Sequence, residues 1–212
     1  MAAAFLVMVT LGIRQSFGLF LLPVTEALGT GREVFSLALA LQNLLWGIAS
    51  PFAGALADKF GAGRVAAIGT LFYAGGLVVM ASFVSPSGLM MGQLMIGIGL
   101  GSAGVSIALG AVARAVAPEK RSLALGMVTS IGSFGQFAVL PVTQIFIDGY
   151  GWQVSLLLLS GLSASMLASF LLMARDEKVR EVLTADIANI TMNGMLKTAL
   201  SSTDYLNATD KK

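Results

Sequence analysis

Residues 54 to 64 read Gly54-Ala55-Leu56-Ala57-Asp58-Lys59-Phe60-Gly61-Ala62-Gly63-Arg64. On either side lies a long apolar stretch, from about Phe35 to Ala57 and from about Val65 to Val84. Each has the roughly 20 apolar residues that a helix needs to cross the ~30 Å hydrocarbon layer of a bilayer. The short charged run between them, punctuated by glycine, reads as the turn of a helical hairpin. Asp58, Lys59 and Arg64 are costly to place in hydrocarbon, so they hold that turn at a membrane surface.

Working outward, four more stretches have the same character: about Ala3 to Val24, Leu89 to Val112, Leu123 to Ile147, and Trp152 to Met173. The other separators are short and polar: Glu26 to Glu33, Ser85-Pro86-Ser87, Arg114 to Ser122, and Asp148 to Gly151. Short connections make neighbouring spans antiparallel. Composition agrees with a membrane bundle. The chain is 56% hydrophobic and 11% charged, where a soluble domain carries about 25% charged residues. Mean hydropathy is +0.85. The first apolar stretch is too long for the core of a signal peptide and lacks a basic leader, so it counts as a span. The sequence predicts an all-α membrane domain of six spans.

Lysine and arginine set the orientation. Alternation places Lys59, Arg64, Arg114, Lys120, Arg121, Arg175, Lys178 and Arg180 on one side and Arg32 on the other. The first side is assigned to the cytoplasm, and both termini with it. A domain boundary is expected between 1–174 and a polar cytoplasmic linker or tail, 175–212. In the tail, Val179, Val182, Leu183, Ile187 and Ile190 recur at helical spacing. They predict short amphipathic helices against the protein or the membrane surface. Asn189-Ile190-Thr191 and Asn207-Ala208-Thr209 match the glycosylation pattern but fall on the cytoplasmic side, so neither is expected to be used.

The spans contain a repeat. Ser36-Leu37-Ala38-Leu39 opens the second and Ser122-Leu123-Ala124-Leu125 the fifth. Further on, Pro51 precedes Asp58-Lys59-Phe60-Gly61 by the same interval as Pro141 precedes Asp148-Gly149-Tyr150-Gly151, after a four-residue gap. Spans two and five begin on opposite sides, which makes two three-helix units of inverted topology, a pattern found in transporters.

Cysteine and histidine are both absent. That excludes a thiolate nucleophile, a Ser-His-Asp triad and histidine-based zinc sites. No enzyme, metal or cofactor is expected. No dense basic run interleaves with aromatics, so no nucleic-acid partner is expected either. Gly99-Leu100-Gly101-Ser102-Ala103-Gly104 spells a dinucleotide fingerprint. That fingerprint needs a preceding strand, and here it lies inside a span. Close helix packing is the better reading, as for Gly88 with Gly92 and Gly97 with Gly101.

Arg14 sits near the middle of the first span, where an arginine costs about 2.5–3.5 kcal/mol to insert. No acidic residue lies at comparable depth: Glu26, Asp58, Glu119 and Asp148 are all near membrane edges. The partner is then an anionic substrate, cavity water, backbone carbonyls, or a segment outside this chain. Guanidinium matches a carboxylate through two parallel hydrogen bonds, which favours a carboxylate substrate; a structural pairing is the alternative. In the second span Gln42, Asn43 and Trp46 are spaced to share a helix face. In the fifth, Thr129, Ser133 and Gln136 do the same. In the Pro51–Pro141 register, Asn43 and Trp46 correspond to Ser133 and Gln136. Two symmetry-related polar patches suggest one cavity wall, with interhelical hydrogen bonding as the plainer account.

The run from Gly54 to Arg64 resembles the signature between the second and third helices of the major facilitator superfamily. That signature is Gly-x-Leu-Ala-Asp-Arg-x-Gly-Arg-Lys/Arg. Lys59 replaces its arginine, and Ala62-Gly63 interrupt the basic pair before Arg64. Gly12-Ile13-Arg14-Gln15-Ser16-Phe17-Gly18-Leu19-Phe20, Gly132-Ser133-Phe134-Gly135-Gln136 and Gly151-Trp152 resemble its bacterial monocarboxylate and oxalate–formate antiporter branch. The resemblance covers about residues 5 to 175. It implies the N-terminal half of a twelve-span carrier in a bacterial inner membrane. Many proton-coupled members carry an arginine in the fourth span, four residues before a glycine; here Gln93 stands there before Gly97.

The resemblance further implies a gating loop of Gly54, Asp58, Lys59, Gly61 and Arg64. Gly54 would let the helix end pack closely. Asp58 would pair with a cation or cap the next helix. Lys59 and Arg64 would anchor to headgroups. The expected function is secondary transport of a small organic anion, such as a monocarboxylate or dicarboxylate, by alternating access. Arg14, Gln15, Gln42, Asn43, Trp46, Ser133 and Gln136 are the expected binding residues. A missing C-terminal half or a second copy would complete the cavity. The alternatives are a drug or metabolite efflux facilitator, and a truncated six-span protein without transport of its own.

Overall fold

The computed structural model describes residues 2–167; the end of the sixth span and the expected tail lie outside them. The first span is α1 (Ala2–Ser16), a 3-10 turn (Phe17–Phe20) and α2 (Leu21–Leu28). The second is α3 (Arg32–Phe60) and the third α4 (Ala62–Ser82). The fourth is α5 (Pro86–Ala103) with α6 (Val105–Ala115), and the fifth is α7 (Pro118–Tyr150). The described part of the sixth is α8 (Trp152–Leu167). Five of these spans are long and apolar enough to cross a membrane within the described residues. No strand occurs among those residues.

The helices run past the apolar stretches that predicted them. α3 has 29 residues, which at 1.5 Å per residue is about 44 Å. Lysine, arginine and glutamate are good helix formers, so a helix does not stop where hydrocarbon stops. It stops where the backbone is broken. Gly29 (φ 60°), Gly61 (φ 93°) and Gly151 (φ 85°) end α2, α3 and α7 in a conformation that other residues rarely adopt. Pro86 and Pro118 open α5 and α7, where a missing N–H is harmless. Ser85 Oγ caps α5 by accepting from the Gly88 amide at 3.0 Å.

Between helices, close approach depends on glycine. α1 packs on α7, and α5 packs on both α3 and α4. A Cβ at Gly12 would lie 2.5 Å from Val139 Cγ2, and one at Gly135 would overlap the Met8 carbonyl. On α5, Gly92 and Gly99 face α4, against Met80 and Tyr73, while Gly97 and Gly101 face α3, against Gln42 and Ala49. This corrects one expected pair. A Cβ on Gly88 would meet the Phe83 carbonyl in the preceding turn, not a neighbouring helix, so Gly99 takes the place expected of Gly88. Serine and threonine help to tie the outer helices: Ser160 Oγ on α8 donates to the Ala74 carbonyl at 3.1 Å.

The inverted repeat is visible in the helix lengths. α7 has 33 residues and α3 has 29, a difference of four that matches the gap in the sequence alignment. Pro51 and Pro141 lie inside α3 and α7, each ten residues before the terminal glycine. Gly61 N–H then donates to the Ala57 carbonyl at 2.9 Å, and Gly151 N–H to the Ile147 carbonyl at 3.0 Å. The opening span of each unit is broken about two thirds of the way along, at Phe17–Phe20 and at Gly104. α3 and α7 also carry exposed apolar side chains, among them Ile48, Phe52, Phe134 and Phe137.

Candidate functional site

The site is built where α1 meets α3. Arg14 lies three residues before α1 tightens into the 3-10 turn, and Ser16 Oγ donates back to the Ile13 carbonyl at 2.7 Å. A 3-10 stretch within a long helix often marks a hinge or local strain. Arg14 Nη2 donates to Asn43 Oδ1 at 2.9 Å. Asn43 Nδ2 donates to the Leu39 carbonyl of its own helix at 2.8 Å, which fixes the amide with its oxygen toward Arg14. The Arg14 guanidinium carbon lies 4.8 Å from the centre of the Trp46 ring.

These contacts balance the cost of the charge. A hydrogen bond to a charged group contributes about 1.5–3 kcal/mol, and a cation over an aromatic face about 0.5–1 kcal/mol. Together they are comparable to the insertion cost of about 2.5–3.5 kcal/mol. The arginine is therefore held by neutral groups. Among the described residues its hydrogen-bond and cation–π partners are an amide and an indole. Arg14 Nε is enclosed and has no hydrogen-bond partner.

Space opens beside this cluster. A Cβ at Gly18 or Gly47 would meet nothing within 4 Å. Gly18 follows Arg14 by four residues and Gly47 follows Asn43 by four, so both extend the same helix faces. Gln15 and Asn43 are exposed.

Not every expected residue joins the cluster. Gln42 is 1% exposed and turns into the bundle, away from the exposed side of α3 that Asn43 occupies. Its Oε1 has no partner. On α7, Ser133 is exposed and donates to the Thr129 carbonyl at 3.3 Å, and Gln136 is half-buried. Neither hydrogen-bonds to Arg14 among the described residues. Their neighbours Gly132 and Gly135 hold α7 against α1.

In the expected gating loop, Lys59 and Arg64 are exposed. Lys59 Nζ lies 5.3 Å from the Phe60 ring centre. Among the described residues, a Cβ at Gly54 would meet nothing within 4 Å. This glycine borders a cleft of about 180 Å³ between α3 and α6, which Ser50, Asp58 and Ser106 also line. The N-cap of α4 is Gly61, which has no side chain to cap with.

The Major Facilitator Superfamily profile matches residues 2–201. The chain belongs to this superfamily. It is a transporter-family protein and not an enzyme. It is 31% identical over 170 residues to monocarboxylate transporter 11 of Mus musculus, covering 76% of this chain and 36% of that protein. It is 29% identical over 157 residues to monocarboxylate transporter 9 of Gallus gallus, covering 74% and 31%. It is 33% identical over 105 residues to a Bacillus subtilis protein provisionally named a niacin/nicotinamide transporter, covering 50% and 26%. The chain thus spans roughly a third of the length of these relatives. The run from Gly54 to Arg64 covers the end of α3, Gly61 and the start of α4.

Sequence reasoning passed over Tyr73 and the burial of Gln93. Tyr73 is 1% exposed on α4, and its hydroxyl donates to the Thr10 carbonyl, one turn before Arg14, at 3.5 Å. A tyrosine in mid-span was the available signal, since a buried phenol needs a partner. Gln93 is fully buried, and neither of its amide atoms has a partner. At the end remote from Lys59, Glu26, Arg32 and Asp148 line a cleft of about 620 Å³ with Gln144, which donates to Asp148 at 2.8 Å.

Proposed function

We propose that this chain forms six spans of a secondary transporter for small organic anions, with Arg14 binding a carboxylate from an open groove between α1 and α3. The observation that carries the reading is the state of Arg14. It sits in mid-span, held by Asn43 and Trp46 without a carboxylate, and one of its donors is unused. The names of the two monocarboxylate transporters support the same class, and the third relative's name pairs a carboxylate, niacin, with its neutral amide. Asn43, Trp46 and Gln15 line the groove, and Ser133 and Gln136 extend it along α7. Gln42 acts from within the bundle.

In this reading the end that bears Lys59 and Arg64 faces the cytoplasm, by the excess of basic residues there, in a bacterial inner membrane. Lys59, Gly61 and Arg64, with Gly54 and Asp58 at the neighbouring cleft, form the gating turn of an alternating-access cycle. The second wall of the groove comes from a further six spans or a second copy, seated on the exposed apolar sides of α3 and α7.

Uptake into proteoliposomes tests the proposal, with nicotinate, L-lactate and pyruvate as substrates and nicotinamide as the uncharged counterpart of nicotinate. Saturable, carboxylate-selective uptake that Arg14→Gln abolishes is the expected result. Unchanged affinity in Arg14→Gln would remove Arg14 from the site. A preference for nicotinamide would favour the efflux or metabolite-facilitator reading. No uptake, with the protein folded, would favour a chain that needs its second wall.

A further inference from the structure

Thr10 lies one turn before Arg14, and around it α1 is gripped by three neighbouring helices. Toward α7, the helices close at Gly12 with Val139 and at Gly135 with Met8. Toward α8, Thr10 Oγ1 donates to Met166 Sδ at 3.5 Å. Toward α4, the Tyr73 hydroxyl donates to the Thr10 carbonyl at 3.5 Å. That carbonyl also accepts the Arg14 N–H, because both residues fall inside α1 and an α-helix bonds each N–H to the carbonyl four residues back. Tyr73 therefore touches the peptide that carries the Arg14 backbone. The tyrosine is itself fixed. It is buried, and α5 comes so close at Gly99 that a Cβ there would lie 2.7 Å from the Tyr73 amide nitrogen. Long side chains on a helix lean back toward its N-terminus, so the Arg14 side chain returns toward the level of Thr10, and its charge acts on the Tyr73 phenol. Three residues past Arg14 the 3-10 turn begins, which puts Arg14 on the last regular turn before the break.

We infer that Tyr73 is a positioning residue for Arg14. The inference rests on the carboxylate-binding reading above. The hydroxyl ties the last regular turn of α1 to the packed pair α4 and α5, and so fixes the point from which the Arg14 side chain starts. Asn43 and Trp46 hold its far end from α3. Held at both ends, the guanidinium meets a carboxylate in one orientation, which two parallel N–H···O bonds require. Tyr73 itself acts through the α1 backbone and does not touch the ligand. Without the hydroxyl, the Thr10 carbonyl keeps the Arg14 N–H as a partner, so no enclosed acceptor is left unsatisfied. What is lost is the tie between helices. The turn next to the break can then shift against α3, which penalises a ligand that must match the guanidinium fork and spares one that need not. The rival account gives the same role to the contact of Thr10 Oγ1 with Met166.

Two measurements on the purified chain in nanodiscs separate these accounts. One is calorimetric titration with nicotinate, L-lactate and nicotinamide. The other is a magnetic-resonance spectrum of isotope-labelled arginine, in which the Arg14 Nε–H signal is assigned by its loss in Arg14→Gln. Tyr73→Phe keeps the ring and its packing. It should weaken binding of both acids about fivefold, the loss of one ordinary hydrogen bond, leave nicotinamide within about twofold, and move the Arg14 Nε–H signal. Thr10→Val removes the hydroxyl and keeps the carbonyl, so acid affinity should stay within about twofold. Acid affinity unchanged in Tyr73→Phe would overturn the inference. So would an equal loss for nicotinamide, since Tyr73 would then shape the groove as a whole. A loss in Thr10→Val as large as in Tyr73→Phe would hand the role to Met166. If the wild type binds neither acid, or Arg14→Gln binds them as well as the wild type, the carboxylate reading falls. The arginine signal still decides the positioning in that case, because an unmoved signal in Tyr73→Phe refutes it without any ligand.

Discussion

Asn43→Asp offers the most direct test of whether the charge on Arg14 is what a substrate meets. The substitution keeps an oxygen near the position that accepts from Arg14 Nη2 at 2.9 Å, and removes the donor to the Leu39 carbonyl. It turns a neutral contact into an ion pair. A carboxylate bound to the far edge of the guanidinium would lie about 6 Å from the new one. With an effective dielectric constant of about 20, suited to a partly exposed pair, the repulsion is about 2.8 kcal/mol. At about 1.4 kcal/mol per decade this weakens binding roughly a hundredfold. Nicotinamide, with no charge to repel, should be affected by less than threefold. Titration of both ligands into nanodisc-held wild type and variant gives the ratio directly. Nicotinate affinity within twofold of wild type would refute the reasoning, and so would an equal loss for nicotinamide.

Other substitutions test the framework around the site. Gly135→Leu should unseat α1 from α7, since even a Cβ there overlaps the Met8 carbonyl; overpacking of this kind costs about 1–3 kcal/mol or more, read as a lower melting temperature in detergent. Gly54→Ala should do the reverse, because the added methyl meets nothing and alanine in a helix is favoured over glycine by about 0.5–1 kcal/mol; lost uptake at raised stability would assign Gly54 to motion. Gly61→Ala and Gly151→Ala should each destabilise by about 1–3 kcal/mol, the usual cost of a disfavoured backbone conformation, and by similar amounts, because the two glycines occupy equivalent helix ends. A large difference between them would show that the ends are not equivalent.

The spans were legible because the membrane imposes a simple rule on sequence: long apolar runs with charges only at their ends. The exception, Arg14, was equally legible as a charge at the wrong depth. What spacing could not give was the direction in which each polar side chain points. Gln42 and Asn43 are adjacent, and both fit a face with Trp46, yet one is enclosed and the other exposed. A helix turns about 100° per residue, and only the position of α5 decides which side is inside. The glycines show the same limit. Their spacing announces close packing, but whether Gly88 or Gly99 accompanies Gly92 depends on where α4 crosses. Helix ends were misread for a different reason: backbone hydrogen bonding ignores the membrane boundary, and glycine or proline sets the stop.

One further consequence follows from the unequal lengths of α3 and α7. Four residues are close to a whole turn of helix, about 6 Å of length and only about 40° of net rotation. Adding four residues therefore lengthens a span while leaving nearly the same side chains turned toward the same neighbours. One or two residues would have swung the downstream half by about 100° or 200° and put its lipid-facing side chains into the bundle. The two units could drift apart in height without scrambling what each face meets, and drift of this kind is tolerated only in steps of about one turn.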